Sequence, residues 1–150
     1  MRFRTAKTTT IGLLLGVGLM ALAGCGGAGR TVKGQIQAAG QKYSVAERDQ
    51  CSIQLVKEGE AKPEAFTGKV EPDGSFKFPQ PIPDGKYKVL VTHTGDYTEF
   101  MKLKPGAKRS AGPPDKLKGA FGDIKSPLKV DIDGSASLIV DVRSKTVVKK

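Results

Sequence analysis

The stretch Phe66-Thr67-Gly68-Lys69-Val70-Glu71-Pro72-Asp73-Gly74-Ser75-Phe76-Lys77-Phe78 decides the fold. Phe66, Gly68 and Val70 share one face of an alternating run, and Phe76 and Phe78 repeat the alternation on the way back. Between them Pro72 presets φ for the first turn position and Gly74 takes the left-handed one, so the stretch reads as a β-hairpin. Working outward, Pro81-Ile82-Pro83-Asp84-Gly85 is a second turn that leads into Tyr87, Val89 and Val91, alternating with Lys86, Lys88 and Leu90. Upstream, Val32, Gly34, Ile36 and Ala38 alternate with polar residues, as do Cys51, Ile53 and Leu55. Downstream, Leu128, Val130 and Ile132 precede the turn Asp133-Gly134 and the run Leu138, Val140, Val142. Period-two patterning between turn residues predicts about seven short strands, with no amphipathic helix. The expected fold is all-β, a β-sandwich. Its core is expected to hold Val32, Ile36, Ile53, Leu55, Val70, Phe76, Phe78, Tyr87, Val89, Val91, Val130, Ile132, Leu138 and Val140.

The pattern Gly68-x-Val70-x-x-Asp73-Gly74-Ser75-Phe76-x-Phe78, followed by Ile82-Pro83-x-Gly85-x-Tyr87-x-Val89-x-Val91, resembles the carboxypeptidase regulatory-like (transthyretin-like) β-sandwich, an Ig-like architecture. Ser126-Pro127-Leu128-x-Val130 with Asp133-Gly134 is similar to the end of small planctomycete-type lipoproteins that carry this domain. The resemblance covers most of residues 31–142 and implies a noncatalytic accessory or interaction module. The chain departs from the pattern in a long basic insert.

Before the domain, Arg2, Arg4 and Lys7 precede the apolar run from Ile11 to Leu22, and no acidic residue occurs before Glu47. A basic start, a short apolar run and small residues at a cut site make a secretory signal peptide. The run is too short for a hydrocarbon core that needs about 20 residues. Leu22-Ala23-Gly24-Cys25 resembles the lipobox of bacterial lipoproteins. That resemblance implies a diacylglyceryl group on the Cys25 thiol, cleavage before Cys25, and acylation of the palmitate type at the new N-terminus. Gly26 after the cysteine, rather than Asp, points toward an outer membrane. The expected organisation is a signal peptide over residues 1–24, a lipidated Gly-rich tether over 25–30, the sandwich over 31–145 and a basic tail over 146–150. A Gly-rich tether of that length reaches only about 12 Å, which keeps the domain against the membrane.

Three of the 25 Lys and Arg and none of the 15 Asp and Glu lie before Cys25, so the remaining chain carries 22 basic and 15 acidic residues. The excess either points to anionic envelope polymers or lipid head groups as partners, rather than to nucleic acid, or merely keeps a small secreted domain soluble; an envelope protein is a further candidate partner. The chain has no Trp and few aromatics for base stacking. Most of the excess sits in the loop 102–127, which holds Lys102, Lys104, Lys108, Arg109, Lys116, Lys118 and Lys125 against Asp115 and Asp123. A loop of this length in a compact domain is either functional or a solvated connection. On the first reading Lys102, Lys104, Lys108, Arg109, Lys116 and Lys118 are candidate anion-binding residues. Leu117, Phe121 and Ile124 are placed to pin its second half to the sheet.

Other chemistry lacks its parts. His93 is the only histidine, and zinc needs three or four N, S or O ligands. There is no Gly-x-Ser-x-Gly elbow, and Asp131-x-Asp133-Gly134 has only the first half of a calcium loop. No cofactor and no metal are expected. Alternation places Cys51 on an apolar face, which favours a buried, inert thiol. Tyr87 reads either as a corner residue bonded to nearby backbone or as a ligand contact, the corner being preferred. The expected function is that of a nonenzymatic binding or structural module of the cell envelope, anchored through Cys25. The alternative is an accessory subunit of an envelope enzyme acting on peptides or polysaccharide.

Overall fold

A computed structural model of the chain describes residues 29–96, 98 and 113–150. Among the described residues nine strands form one sheet: β1 (Val32–Ala38), β2 (Gln41–Lys42), β3 (Gln50–Lys57), β4 (Ala65–Val70), β5 (Ser75–Lys77), β6 (Gly85–Thr94), β7 (Lys129–Ile132), β8 (Ala136–Asp141) and β9 (Thr146–Lys149). Their order is β7-β6-β3-β4-β5-β1-β8-β9, with β2 paired to β1. Every pairing is antiparallel except β1 with β8, which runs parallel. The sheet curls until its ends, β7 and β9, lie against each other, and the Lys149 ammonium reaches Asp133 across the seam.

The all-β class is as expected, and the architecture is corrected in two respects. Instead of about seven strands in two sheets, nine strands make one sheet nearly closed into a barrel. Residues 146–150, expected as a tail, contribute β9, whose backbone pairs Leu138–Asp141 of β8. Lys-rich edge strands of four residues, like two-residue strands such as β2, carry too little alternation to stand out.

The deciding hairpin forms as its residues require. Gly74 has φ +79°, its N–H donates to the Glu71 carbonyl at 2.8 Å, and the Asp73 carboxylate accepts the Ser75 N–H at 3.0 Å. The turn also docks on β1, where the Ile36 N–H donates to the Gly74 carbonyl at 2.8 Å. Inward-facing positions of the strands fill one core, in which Tyr87, Ile36, Ile53, Leu55, Ile132, Leu138, Val89 and Val140 are fully buried. Each such side chain contributes about 1.5–3 kcal/mol over leaving it exposed. Val130, on edge strand β7, is only partly buried. Gly34 marks the tightest approach of two strands: a Cβ there would stand 2.1 Å from the Leu138 carbonyl oxygen. The Tyr87 hydroxyl donates to the Pro83 carbonyl at 2.7 Å, the corner contact expected of it.

Candidate functional site

Of the residues singled out from the sequence, Cys25, Lys102, Lys104, Lys108 and Arg109 lie outside the described residues. Lys116 and Lys118 lie within them, on the segment that leads to β7. This segment is built against β6. Strand β7 pairs only with Gly85–Lys88, leaving the rest of that edge of β6 open. The incoming chain fills it: the Val89 N–H donates to the Leu128 carbonyl, Val91 N–H to Phe121 carbonyl, and Lys116 N–H to His93 carbonyl at 2.7 Å. Buried backbone groups need such partners, and here a loop supplies what a strand would. Phe121 is buried and Leu117 half-buried, as expected of residues that pin the segment, whereas the Ile124 side chain is 63% exposed and the residue is held through its carbonyl, which accepts the Lys88 ammonium.

Asp115 organises the turn at the top. Its carboxylate accepts N–H groups from Leu117 at 2.9 Å, Gly119 at 2.7 Å and His93 at 3.3 Å. The Lys116 side chain is then directed at Asp49, with which it forms an ion pair. Lys116, read from the sequence as an anion-binding residue, is thus paired with a carboxylate of its own fold, while its side chain remains about half exposed. Lys118 stands exposed at the turn with φ +56°.

Behind Lys116 lies a polar chain that the sequence did not reveal. The Tyr43 hydroxyl meets His93 Nδ1 at 2.6 Å, and His93 Nε2 meets Asp49 Oδ2 at 2.9 Å. With Asp49 ionised, Nε2–H donates to the carboxylate and Nδ1 accepts the tyrosine proton. His93 is 3% exposed, so both nitrogens are used within the fold. The hydrogen bond from Lys116 holds the Asp49 carboxyl below its ordinary range, helped by His93 and opposed by burial. Burial first, then the nearby Cys51, Asp115 and Asp49, pushes the Tyr43 hydroxyl up. Cys51 pairs directly opposite His93, and burial pushes its thiol up to about 11. The arrangement ties β3, β6 and the 113–127 segment together. The register Cys51↔His93 places Asp49 beside the ring; that pairing, rather than any spacing in the sequence, is the signal that would have found it.

An accessible concavity lies on the outer face of the sheet, and Asp49 and Cys51 are among the residues that line it. A recess of about 780 Å³ spans β5, β4, β3 and β6 and is walled by Ser52, Thr67, Lys69, Lys77, Thr92 and Thr94. A second, of about 510 Å³, lies over β1, β5 and β8. Ser52 and Thr92 hydroxyls are bonded to each other at 2.8 Å across β3 and β6. The wall carries hydroxyls and amines beside the apolar groups of Val70 and Pro79 and the Asp49 carboxylate, so it presents both polar and apolar surface. Among the described residues no three His, Cys, Asp or Glu side chains stand together to hold a metal ion.

No family model matches this chain, nor does any curated protein. Among solved structures the chain is similar to the crystal structure of (S)-allantoin synthase, with a TM-score of 0.36 and 12% identity. The likeness covers 83% of this chain and 44% of that one, so the chain spans less than half of its length. The similar structure is that of an enzyme, so the sequence expectation that excluded catalysis is corrected and does not stand. At that TM-score and identity the likeness assigns no activity here.

Proposed function

We propose that this chain is an exported lipoprotein of the cell envelope, anchored through Cys25, whose all-β domain binds a ligand close to the membrane surface. The observation that carries the reading is the order of the N-terminal features: a basic start, the apolar run 11–22, then Leu22-Ala23-Gly24-Cys25. The fold supports it by where the domain begins. Arg30 already pairs with Ile82, its N–H donating to the Ile82 carbonyl at 2.7 Å, and its guanidinium meets Asp84 at 3.2 Å. The link from Cys25 to the domain is therefore a few glycine-rich residues, which span about 12 Å. Two or three acyl chains, at about 0.8 kcal/mol per buried methylene, would make such anchoring stable where one chain would not. The domain is read as a relative of the carboxypeptidase regulatory-like sandwiches of small planctomycete-type lipoproteins, on the hairpin and Gly85-x-Tyr87 motifs. An outer-membrane destination follows from Gly26. The ligand is met at the envelope surface, where each Lys or Arg near an anionic bilayer gains about 1 kcal/mol.

Fractionation of cells expressing the wild-type chain and Cys25→Ala tests the anchor. The wild type is expected in the membrane fraction and the variant in the soluble or unprocessed pool. Equal membrane association of the two would refute the anchor.

A further inference from the structure

We infer that the outer face of the sheet carries a binding row for a linear acidic polysaccharide, centred on Lys33, Lys77 and Lys69. The inference rests on the envelope reading only for where the ligand is met.

The sheet register creates the row. Lys33 of β1 lies directly opposite Lys77 of β5, and Lys77 lies directly opposite Lys69 of β4. The same register line continues to Ser137 of β8 on one side, and to Ser52 of β3 and Thr92 of β6 on the other. All six alternate along their strands with core residues such as Val32, Phe76, Val70 and Ile53, so the row faces away from the core. Neighbouring strands are about 4.8 Å apart, so the backbones that carry the three lysines span about 10 Å, and each lysine stands within a Debye length of about 8 Å at physiological salt from the next.

Like charges placed directly opposite each other destabilise a sheet. Two such oppositions in succession have no structural return here. Lys69 meets Glu71 at 3.2 Å, with both side chains exposed, while Lys33 and Lys77 form no ion pair among the described residues. None of the three amines holds another part of the fold together. Such a row is explained by an anion that binds across it.

The surroundings narrow the ligand. The recesses of about 780 and 510 Å³ flank the row and share Lys69 and Lys77 as their common wall. One contributes the hydroxyls of Ser52, Thr67 and Thr92 with Asp49, whose carboxylate is paired with Lys116, and the other contributes Ser137, the Gln35 amide and Lys150 with Glu71, which is paired with Lys69. Together they make a trough across six strands with hydroxyls at both ends and charge in the middle. One amine per strand matches a polymer with one carboxylate or sulfate per sugar ring, and the flanking hydroxyls suit sugar hydroxyls. No aromatic side chain lies on the row, so it lacks the stacking platform of single-stranded nucleic-acid sites.

The test uses the full chain purified in detergent, titrated with polygalacturonate, dextran sulfate, neutral dextran and an oligo-dT strand. Binding is expected to one or both acidic polysaccharides, weakening steeply with salt, and not to neutral dextran. The stronger of the two distinguishes a carboxylate from a sulfate ligand. Replacing Lys33, Lys69 and Lys77 together with Gln should lower affinity by about a hundredfold, at about fivefold for each lysine–anion pair removed in water. The same charge change made at the exposed Lys42, Lys62 and Lys145 should have little effect. The row variant should unfold at the same or a higher urea concentration than wild type, because the repulsion is relieved. Should the triple variant fail to fold, Lys77→Gln alone should still weaken binding about fivefold. Failure to bind either polyanion, an equal loss in the Lys42, Lys62 and Lys145 variant, or tighter binding of oligo-dT would each overturn the inference. A chain that binds but is not lipidated refutes the envelope reading and leaves the row standing. A lipidated chain that binds neither polymer does the reverse.

Discussion

Asp141→Asn probes how the parallel pair at the heart of the sheet is held. The Asp141 carboxylate sits at the end of β8, 8% exposed, and ties two turns together. One oxygen accepts the N–H groups of Ser144 and Arg143, each at 2.9 Å, and of Ala39 at 3.3 Å, and the other accepts Gly40 N–H at 2.8 Å. These bonds, Ser144 first, hold its carboxyl well below the usual carboxylate range despite burial, which opposes them. A carboxamide keeps one oxygen for the three-donor side and must turn its NH₂ toward the Gly40 N–H. One charge-assisted bond worth about 1.5–3 kcal/mol disappears outright and the other three weaken, so the expected loss is about 2–4 kcal/mol. At a urea slope of about 1.5 kcal/mol per M, the midpoint should fall by about 1.3–2.7 M. Because the folded-state carboxyl titrates below its unfolded value of about 3.9, the wild type holds this stabilisation above pH ~5. It loses it as the pH falls through 4 toward the folded value. The gap between wild type and variant in urea unfolding, followed by circular dichroism, should therefore narrow in acid. A midpoint change under about 0.3 M at neutral pH, or a gap that stays constant from pH 7 to 3, would refute the reasoning.

Tyr87→Phe removes the 2.7 Å bond to the Pro83 carbonyl and leaves that acceptor unpaired. It should cost about 1–2 kcal/mol and lower Tm by several degrees in a thermal scan, with polysaccharide binding unchanged. Cys51 should react with a disulfide reagent only slowly in the native protein and at once in urea. With the thiol pushed up to about 11, only about one part in a thousand is thiolate at pH 8. Rapid native labelling would show that the thiol is accessible.

What the sequence disclosed was local. Turn chemistry at Glu71–Ser75 set the deciding hairpin, and the alternation around Ile53, Val70, Phe76 and Val89 marked residues that are buried, whereas Pro81–Gly85, expected as a turn, instead carries the buried Ile82 into a bridge with Arg30. The Gly85-x-Tyr87 corner and the burial of Cys51 followed from the same local rules. Non-local pairing was not legible. Nothing in 32–38 or 136–141 announces that β1 and β8 run parallel, and it is this pairing that adds β8 and β9 to the other strands of the curled sheet. The polar chain of Tyr43, His93 and Asp49 spans 50 residues of sequence and exists only through the β3–β6 register. The lysine row likewise gathers positions 33, 69 and 77, each unremarkable as an exposed strand residue until the register sets them side by side. The basic loop drew attention because its charges are contiguous, and among the described residues its Lys116 pairs with Asp49 of the same fold.

The proposed anchoring stands or falls at Cys25. Intact-mass analysis of the protein extracted from membranes, followed by mass analysis of its N-terminal proteolytic peptide, tests it most directly. The expected result is a chain that begins at Cys25, lacks residues 1–24 and carries a diacylglyceryl group on the thiol with or without a further acyl chain on the new amino terminus. A chain that retains its first 24 residues, or one cut elsewhere with Cys25 as an unmodified thiol, would contradict it.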